Sequence, residues 1–150
     1  MQVLIVADDL TGALDTASPF ACNGMKVRVC TSVDAALAMA EDGCDVLSVS
    51  TNSRHLPQQE AAALAARAAE IAVRFKPRLV LKKVDSRLKG NVGAESFALA
   101  RKLGSRRLLV VPAAPDIGRF VSGGNVVGAG VDTPISVKEK FSGTDARLHI

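Results

Sequence analysis

Short, unbroken apolar runs alternate along the chain with longer stretches whose apolar residues recur every three or four positions. Val3 to Ala7 (VLIVA) is the first run, and Val27 to Thr31 and Val46 to Ser50 are the second and third. Leu79 to Leu81 begins a fourth, running into Lys82 to Asp85, and Leu108 to Val111, closed by Pro112, makes a fifth. Runs of this length without polar alternation suit parallel strands covered on both faces. Between them the pattern predicts helices over Thr11–Cys22 with Gly24 as the stop, from Ser32 or Asp34 through Ala40 with Gly43 as the stop, from Pro57 to about Phe75, and from about Val92 to Leu103. The third helix carries the clearest signal. Pro57 suits a first helical position, alanine dominates the body, Leu64, Ala68, Ile71 and Phe75 form one stripe, and Pro77 ends it.

Strand and helix in strict alternation predict an α/β fold: an open parallel sheet of about five strands with helices on both faces, joined by right-handed crossovers. After Pro112 the texture changes. Five glycines fall between Gly118 and Gly130 among Val, Phe and Asn, which predicts a Gly-rich β-hairpin excursion near the C-terminus. Asp132 to Ile150 is polar, with a weak strand or helix signal. No internal repeat or low-complexity tract interrupts this order.

Composition narrows the class. A chain of 150 residues with 48% hydrophobic content is one domain with a real core, not a disordered polymer. No apolar run approaches the roughly 20 residues of a membrane span, and no basic leader precedes an apolar stretch, so a cytoplasmic location without membrane association is expected. Cys22, Cys30 and Cys44 lack CxxC spacing and read as reduced, partly buried thiols. His55 and His149 stand apart from other metal-ligating residues and read as surface or capping groups, so no metal is predicted on this chain.

The net charge of +4 hides an asymmetry: residues 1–75 hold five Lys/Arg against nine Asp/Glu, and residues 76–150 hold fourteen against six. The densest basic stretch runs from Lys76 to Arg107, with only Asp85 and Glu95 to offset it. That field favours an anionic partner. Without Trp or Tyr, stacking platforms for single strands are scarce, and no nucleic-acid motif is present. A small anion is the better match, with a solvated basic face as the plainer alternative.

Ligands of open parallel sheets bind outside the carboxyl ends of the strands, and four polar clusters fall at such ends. Asp8 and Asp9 follow the first run. Two adjacent carboxylates there can grip vicinal hydroxyls or simply decorate a helix N-terminus. Thr51-Asn52-Ser53-Arg54 follows the third, where Arg54 can bind a planar carboxylate and the others can make a polar turn. The fourth is followed by KKVDSRLKGNVGAE, Lys82 to Glu95, in which four cations flank Asp85 and glycines open a helix, a setting for anion binding. It matches neither GxxxxGK[ST] nor GxGxxG, so nucleotide binding finds no support here. Pro112 to Arg119 makes a rigid loop with an arginine at its exit.

Together these clusters resemble the four-carbon acid sugar kinase family, specifically its N-terminal, substrate-binding domain. VADDLTGA (Val6 to Ala13), TNSR (Thr51 to Arg54), KKVDSRLKGNVGAE (Lys82 to Glu95) and VVPAAPDIGR (Val110 to Arg119) look like its four signatures in order, over nearly the whole chain. The resemblance implies ATP-dependent phosphorylation of a hydroxyl on threonate, erythronate or a 3-oxo relative. It implies that ATP and Mg²⁺ bind mainly outside this chain, on a C-terminal nucleotide-binding domain of the full protein or on another chain. Residues 1–150 would then be a single, incomplete sugar-acid-binding domain, and a homo-oligomer is compatible with it. Carried over by position, Asp8, Asp9, Arg54, Lys82, Asp85, Ser86, Lys89, Gly90, Asn91 and Arg119 become substrate contacts. Asp9 or Asp85 becomes the acceptor of the attacked hydroxyl's proton. The chain departs from the signature in carrying Arg87 and Lys89 where Thr and Arg are usual. Lys keeps the charge and loses the bidentate fork.

Two other classes compete. One is a non-catalytic metabolite-binding domain or truncated remnant, because the part that binds ATP is missing. The other is a receiver module, whose first strand VLIVADD also resembles, but the acceptor position after the third strand holds Thr51-Asn52 here.

Overall fold

The computed structural model describes residues 1–39 and 43–144. Strands β1 (Val3–Ala7), β2 (Val27–Cys30), β3 (Val46–Ser50) and β4 (Leu79–Lys83) form one parallel sheet in the order β2-β3-β1-β4. Helices α1 (Leu10–Cys22), α2 (Val33–Met39), α3 (Gln58–Phe75) and α4 (Val92–Lys102) alternate with them. The chain leaves β1 in one direction and returns past it to β4 in the other, so right-handed crossovers put the helices on opposite faces. α1 covers one face, where Ala17 meets Val3, Ile5 and Val46. On the other face Leu4, Val6, Leu47 and Val49 pack with Val33 and Ala36 of α2, Ala68 and Ile71 of α3 and Leu99 of α4. Every residue of β1 and β3 is buried, which is why their sequences show no polar alternation.

The buried face of α3 is made chiefly of Ala61, Ala65, Ala68, Ala69, Ile71 and Ala72. Leu64 and Phe75, expected in the stripe, are only half-buried. Alanines at the contact let α4 and the sheet approach α3 closely, which pushes the larger side chains to the margins. Beyond the sheet lies a small antiparallel sheet of β5 (Arg119–Ser122), β6 (Asn125–Gly128) and β7 (Ile135–Ser136), followed by a one-turn helix α5 (Val137–Lys140). β5 and β6 are the Gly-rich hairpin that the sequence predicts. Its core, Val126 with Val137 and Phe141, packs on Leu88 and Val92.

One expectation fails. The predicted fifth strand, Leu108 to Val111, has no strand pairing, so the parallel sheet has four strands among the described residues and β4 is an edge. Leu109 is 87% and Val111 65% exposed. An apolar run becomes a strand only where its backbone groups find a ladder and its side chains find cover. These residues have the composition but no ladder, and Val110 alone of the four finds partial cover, against the cluster of Leu88, Val92 and Val126.

His55 is exposed, and His149 lies outside the described residues. Cys30 and Cys44 are buried thiols, whereas Cys22 is exposed. Among the described residues no helix is long and apolar enough to cross a membrane.

Candidate functional site

The register of the sheet builds the site. Ala7, the last residue of β1, pairs with Ser50 of β3 on one side and Lys83 of β4 on the other. The next residues of all three strands therefore emerge at the same rim. Asp8 and Asp9 meet Thr51 to Arg54 and Val84 to Asn91 there, although they lie far apart in sequence. The backbone N–H groups of Ser53 and Arg54 donate to the Asp8 carbonyl at 2.9 and 3.3 Å, which fixes the second loop against the first.

Arg54 is the centre of the arrangement. Its Nε and Nη2 donate to the two carboxylate oxygens of Asp8 at 2.8 and 2.9 Å, and Nη1 pairs with Asp9 Oδ2. This is the bidentate fork that only arginine supplies. Its hydrogen bond to Asp8, together with the charges of Asp8, Asp9 and Asp85, outweighs partial burial and raises the guanidinium above its ordinary value. Asp8 is almost fully buried, with a side chain 4% exposed. Asp9 is the N-cap of α1, its Oδ1 accepting the Gly12 N–H at 2.7 Å. The two readings of the acidic pair thus meet in one residue: Asp9 caps a helix and faces the rim.

Asp85 opens a tight turn. Its Oδ1 accepts the N–H of Arg87 at 2.8 Å and, more weakly, that of Lys89 at 3.4 Å. No protein group among the described residues bonds its second oxygen. Burial alone would lift the Asp85 carboxyl, but those N–H groups and the charges of Arg54 and Lys89 outweigh it and hold the carboxyl below its ordinary value. Asp85 is therefore an ionised acceptor at neutral pH. Gly90 sits behind it with φ +79°, and a Cβ there would lie 3.0 Å from Asp8 Oδ2. Both the left-handed backbone and the close approach call for glycine.

The remaining predicted residues separate into two groups. Ser86 and Lys89 stay near the rim: Ser86 Oγ accepts from Nη1 of Arg119, whose Nε donates to the Ala129 carbonyl at 3.0 Å, and Lys89 is exposed. Arg119 thereby ties the hairpin to the Asp85 loop. Lys82 and Asn91 are engaged elsewhere. The Lys82 side chain is 4% exposed and pairs with Glu95 at 2.7 Å, and the Asn91 amide donates to the Leu56 carbonyl at 2.9 Å.

Two residues that shape the rim lie within the Lys82–Glu95 signature but have no role of their own in the sequence reading. Leu88 is fully buried with φ +52°, an unusual conformation for a bulky side chain, and it anchors the Asp85 loop in the core under the hairpin. Glu95, 1% exposed, lies under the Thr51–Arg54 loop. A signal for Glu95 did exist. Val92, Glu95, Ser96 and Leu99 follow helical spacing, so an acid occupies a core position of α4.

Residues 3–149 match the family described as sugar-binding N-terminal domain. A D-threonate kinase from Cupriavidus necator is 41% identical over 125 residues, covering 83% of this chain and 29% of the kinase. The chain belongs to the four-carbon acid sugar kinase family, as its sugar-binding N-terminal domain. A D-erythronate kinase from Heliobacterium modesticaldum is 39% identical over 124 residues, 82% of this chain and 28% of the kinase. This family domain thus spans under a third of the curated relatives it matches. Among solved structures, a domain of unknown function from Bordetella bronchiseptica, a domain-swapped dimer with bound citrate, superposes with a TM-score of 0.78 at 35% identity. That match covers 89% of this chain and 34% of the Bordetella chain.

The kinases imply ATP and Mg²⁺ at the level of the family. The helix start of this domain does not fit a nucleotide's phosphates. The first turn of α4 is closed: a Cβ on Gly93 would lie 2.0 Å from the Lys140 carbonyl oxygen, so α5 occupies the approach that a triphosphate would need. Both oxygens of Asp8 are committed to Arg54.

Proposed function

We propose that this domain binds a four-carbon sugar acid of the threonate, erythronate or 3-oxo-tetronate type, as the substrate half of an ATP-dependent kinase. The observation that carries the reading is the clasp of Arg54 between Asp8 and Asp9, set beside the half-open carboxylate of Asp85. A polyol anion needs ionised acceptors for its hydroxyls and cations for its carboxylate, and this rim offers both within a few residues. Asp85, with one oxygen unbonded, and the rim side of Asp9 take the hydroxyls. Lys89 and the remaining N–H groups of Arg54 take the carboxylate, with Ser86 and Arg119 at the border and Gly90 allowing close approach. Lys82 and Asn91 serve the scaffold rather than the ligand. Asp85 is also the better placed of the two acids to receive the proton of the attacked hydroxyl, because Asp9 is already shared between a helix cap and Arg54. Nucleotide comes from a separate domain or chain. Self-association follows the precedent of the Bordetella dimer and is checked by light scattering.

Calorimetry on this chain with D-threonate and D-erythronate, without nucleotide, tests the reading. Binding by the wild type, weakened at least about tenfold in Asp85→Asn as expected for loss of a charged hydrogen-bond acceptor, supports it. Absence of binding to every four-carbon acid, or equal affinity in Asp85→Asn, refutes it. Arg54→Ala is a poorer probe. It strips a buried carboxylate of its partner and costs about 3–5 kcal/mol of stability, so lost binding there would reflect lost structure.

A further inference from the structure

A buried polar relay runs beneath the rim, away from the proposed ligand. Lys82 Nζ pairs with Glu95 Oε2 at 2.7 Å and also donates to the Lys83 carbonyl at 2.9 Å. Ser53 Oγ donates to Glu95 Oε1 at 2.7 Å and lies 2.6 Å from Thr51 Oγ1. With Ser53's single proton committed to Glu95, the one proton of the Thr51 hydroxyl faces two acceptors, Ser53 Oγ and the Ala7 carbonyl at 3.0 Å. Thr51 is itself fixed to β1, its N–H donating to the Ala7 carbonyl at 2.8 Å. Thr51 and Ser53 are buried, and Ser53 immediately precedes Arg54.

Stability alone does not call for this arrangement. Well-packed apolar residues replace a buried ion pair at little cost or with a gain. An apolar residue at position 95, however, could not accept the Ser53 proton, and the loop would then be tied to β1 and Asp8 by its backbone bonds but no longer to α4. We infer that Glu95 is a positioning residue: through Ser53 it pins the Thr51–Arg54 loop to α4, and so sets the guanidinium of Arg54 in register with Asp8 and Asp9. Lys82 orients Glu95 in turn. The ligand consequence rests on the sugar-acid reading above, whereas the positioning itself does not.

The test reads the Arg54 Nε–H directly by nitrogen-15 NMR, as its rate of hydrogen exchange, alongside calorimetry with D-threonate and D-erythronate. Ser53→Ala cuts the pin while leaving the Lys82–Glu95 pair in place. It is expected to speed Arg54 Nε–H exchange about tenfold and to weaken sugar-acid binding by a similar factor, as for one hydrogen bond to a charged group. Glu95→Gln keeps an oxygen for Ser53 and should stay nearer the wild type than Ser53→Ala. Leu99→Ala opens a cavity on the same helix and should lower the unfolding midpoint without changing Arg54 exchange. Unchanged exchange in Ser53→Ala, or an equal acceleration in Leu99→Ala, overturns the inference. Should the wild type bind no four-carbon acid while Ser53→Ala still accelerates Arg54 exchange, the ligand reading falls and the positioning role stands.

Discussion

In β1 and β3 every residue from Val3 to Ala7 and from Val46 to Ser50 is buried, whereas between Leu108 and Val121 six large apolar side chains are exposed: Leu108, Leu109, Val111, Ile117, Phe120 and Val121. Residue type does not explain the difference, since VLIVA and LLVV are interchangeable as strand formers. What separates them is company. β1 lies between β3 and β4 with helices on both sides, so each side chain loses water and each peptide gains a partner. Leu108 to Val111 follows α4 without a strand partner, and only Val110 of its four side chains is partly covered. The rim follows the same division: Asp8, Asp9 and Arg54 are held by the buried strands, Asp85 follows the half-buried edge strand β4, and Arg119 reaches them from the lightly packed hairpin.

The comparison is open to attack in order of size. Leu47→Ala, in the centre of the buried sheet, should cost about 2–5 kcal/mol of stability in chemical denaturation. A loss below about 1 kcal/mol would mean that the sheet is no better packed than the exposed segment. Gly128→Ala comes next, because its φ is +108° and a Cβ would lie 2.1 Å from the Gly118 carbonyl oxygen. It should unpair β5 and β6 at a cost of about 1–3 kcal/mol, read as lost amide protection in the hairpin only. Loss of protection in β1 as well would show that the two regions unfold as one.

Asp85 sharpens the comparison through pH. The folded state holds its carboxyl low, so its contribution to stability is complete above about pH 5 and is lost as pH falls through the depressed value, below about pH 4. Asp85→Asn lacks that titration. The gap between the unfolding midpoints of wild type and variant should stay constant from about pH 7 to pH 5 and narrow below about pH 4; a gap that widens in acid contradicts the assignment. Smallest of all, Leu109→Ser should change stability by no more than about 0.5 kcal/mol. A larger loss would mean that Leu109 is covered in solution.

Much of this was legible in the residues. Unbroken apolar runs named the four strands of the parallel sheet, alanine and the flanking prolines named α3, and glycine spacing named the hairpin. The polar clusters at the strand ends named Asp8, Asp9, Arg54 and Asp85 as neighbours, since parallel strands starting level must finish at one rim. Each of these signals is local, or follows from local signals by the rules of parallel sheets.

Pairing is not local, and there the residues fell silent. Nothing in LLVV reveals that no strand lies beside it, and nothing in Lys82 or Glu95 reveals that their charges meet under a loop distant in sequence from both. That the guanidinium of Arg54 closes on Asp8 is likewise a matter of distances of about 3 Å between distant segments. The sequence by itself determined which elements exist and which chemistry stands at their ends. Tertiary structure alone decided which groups are already satisfied by one another, because desolvation and hydrogen bonding depend on neighbours brought together only by folding.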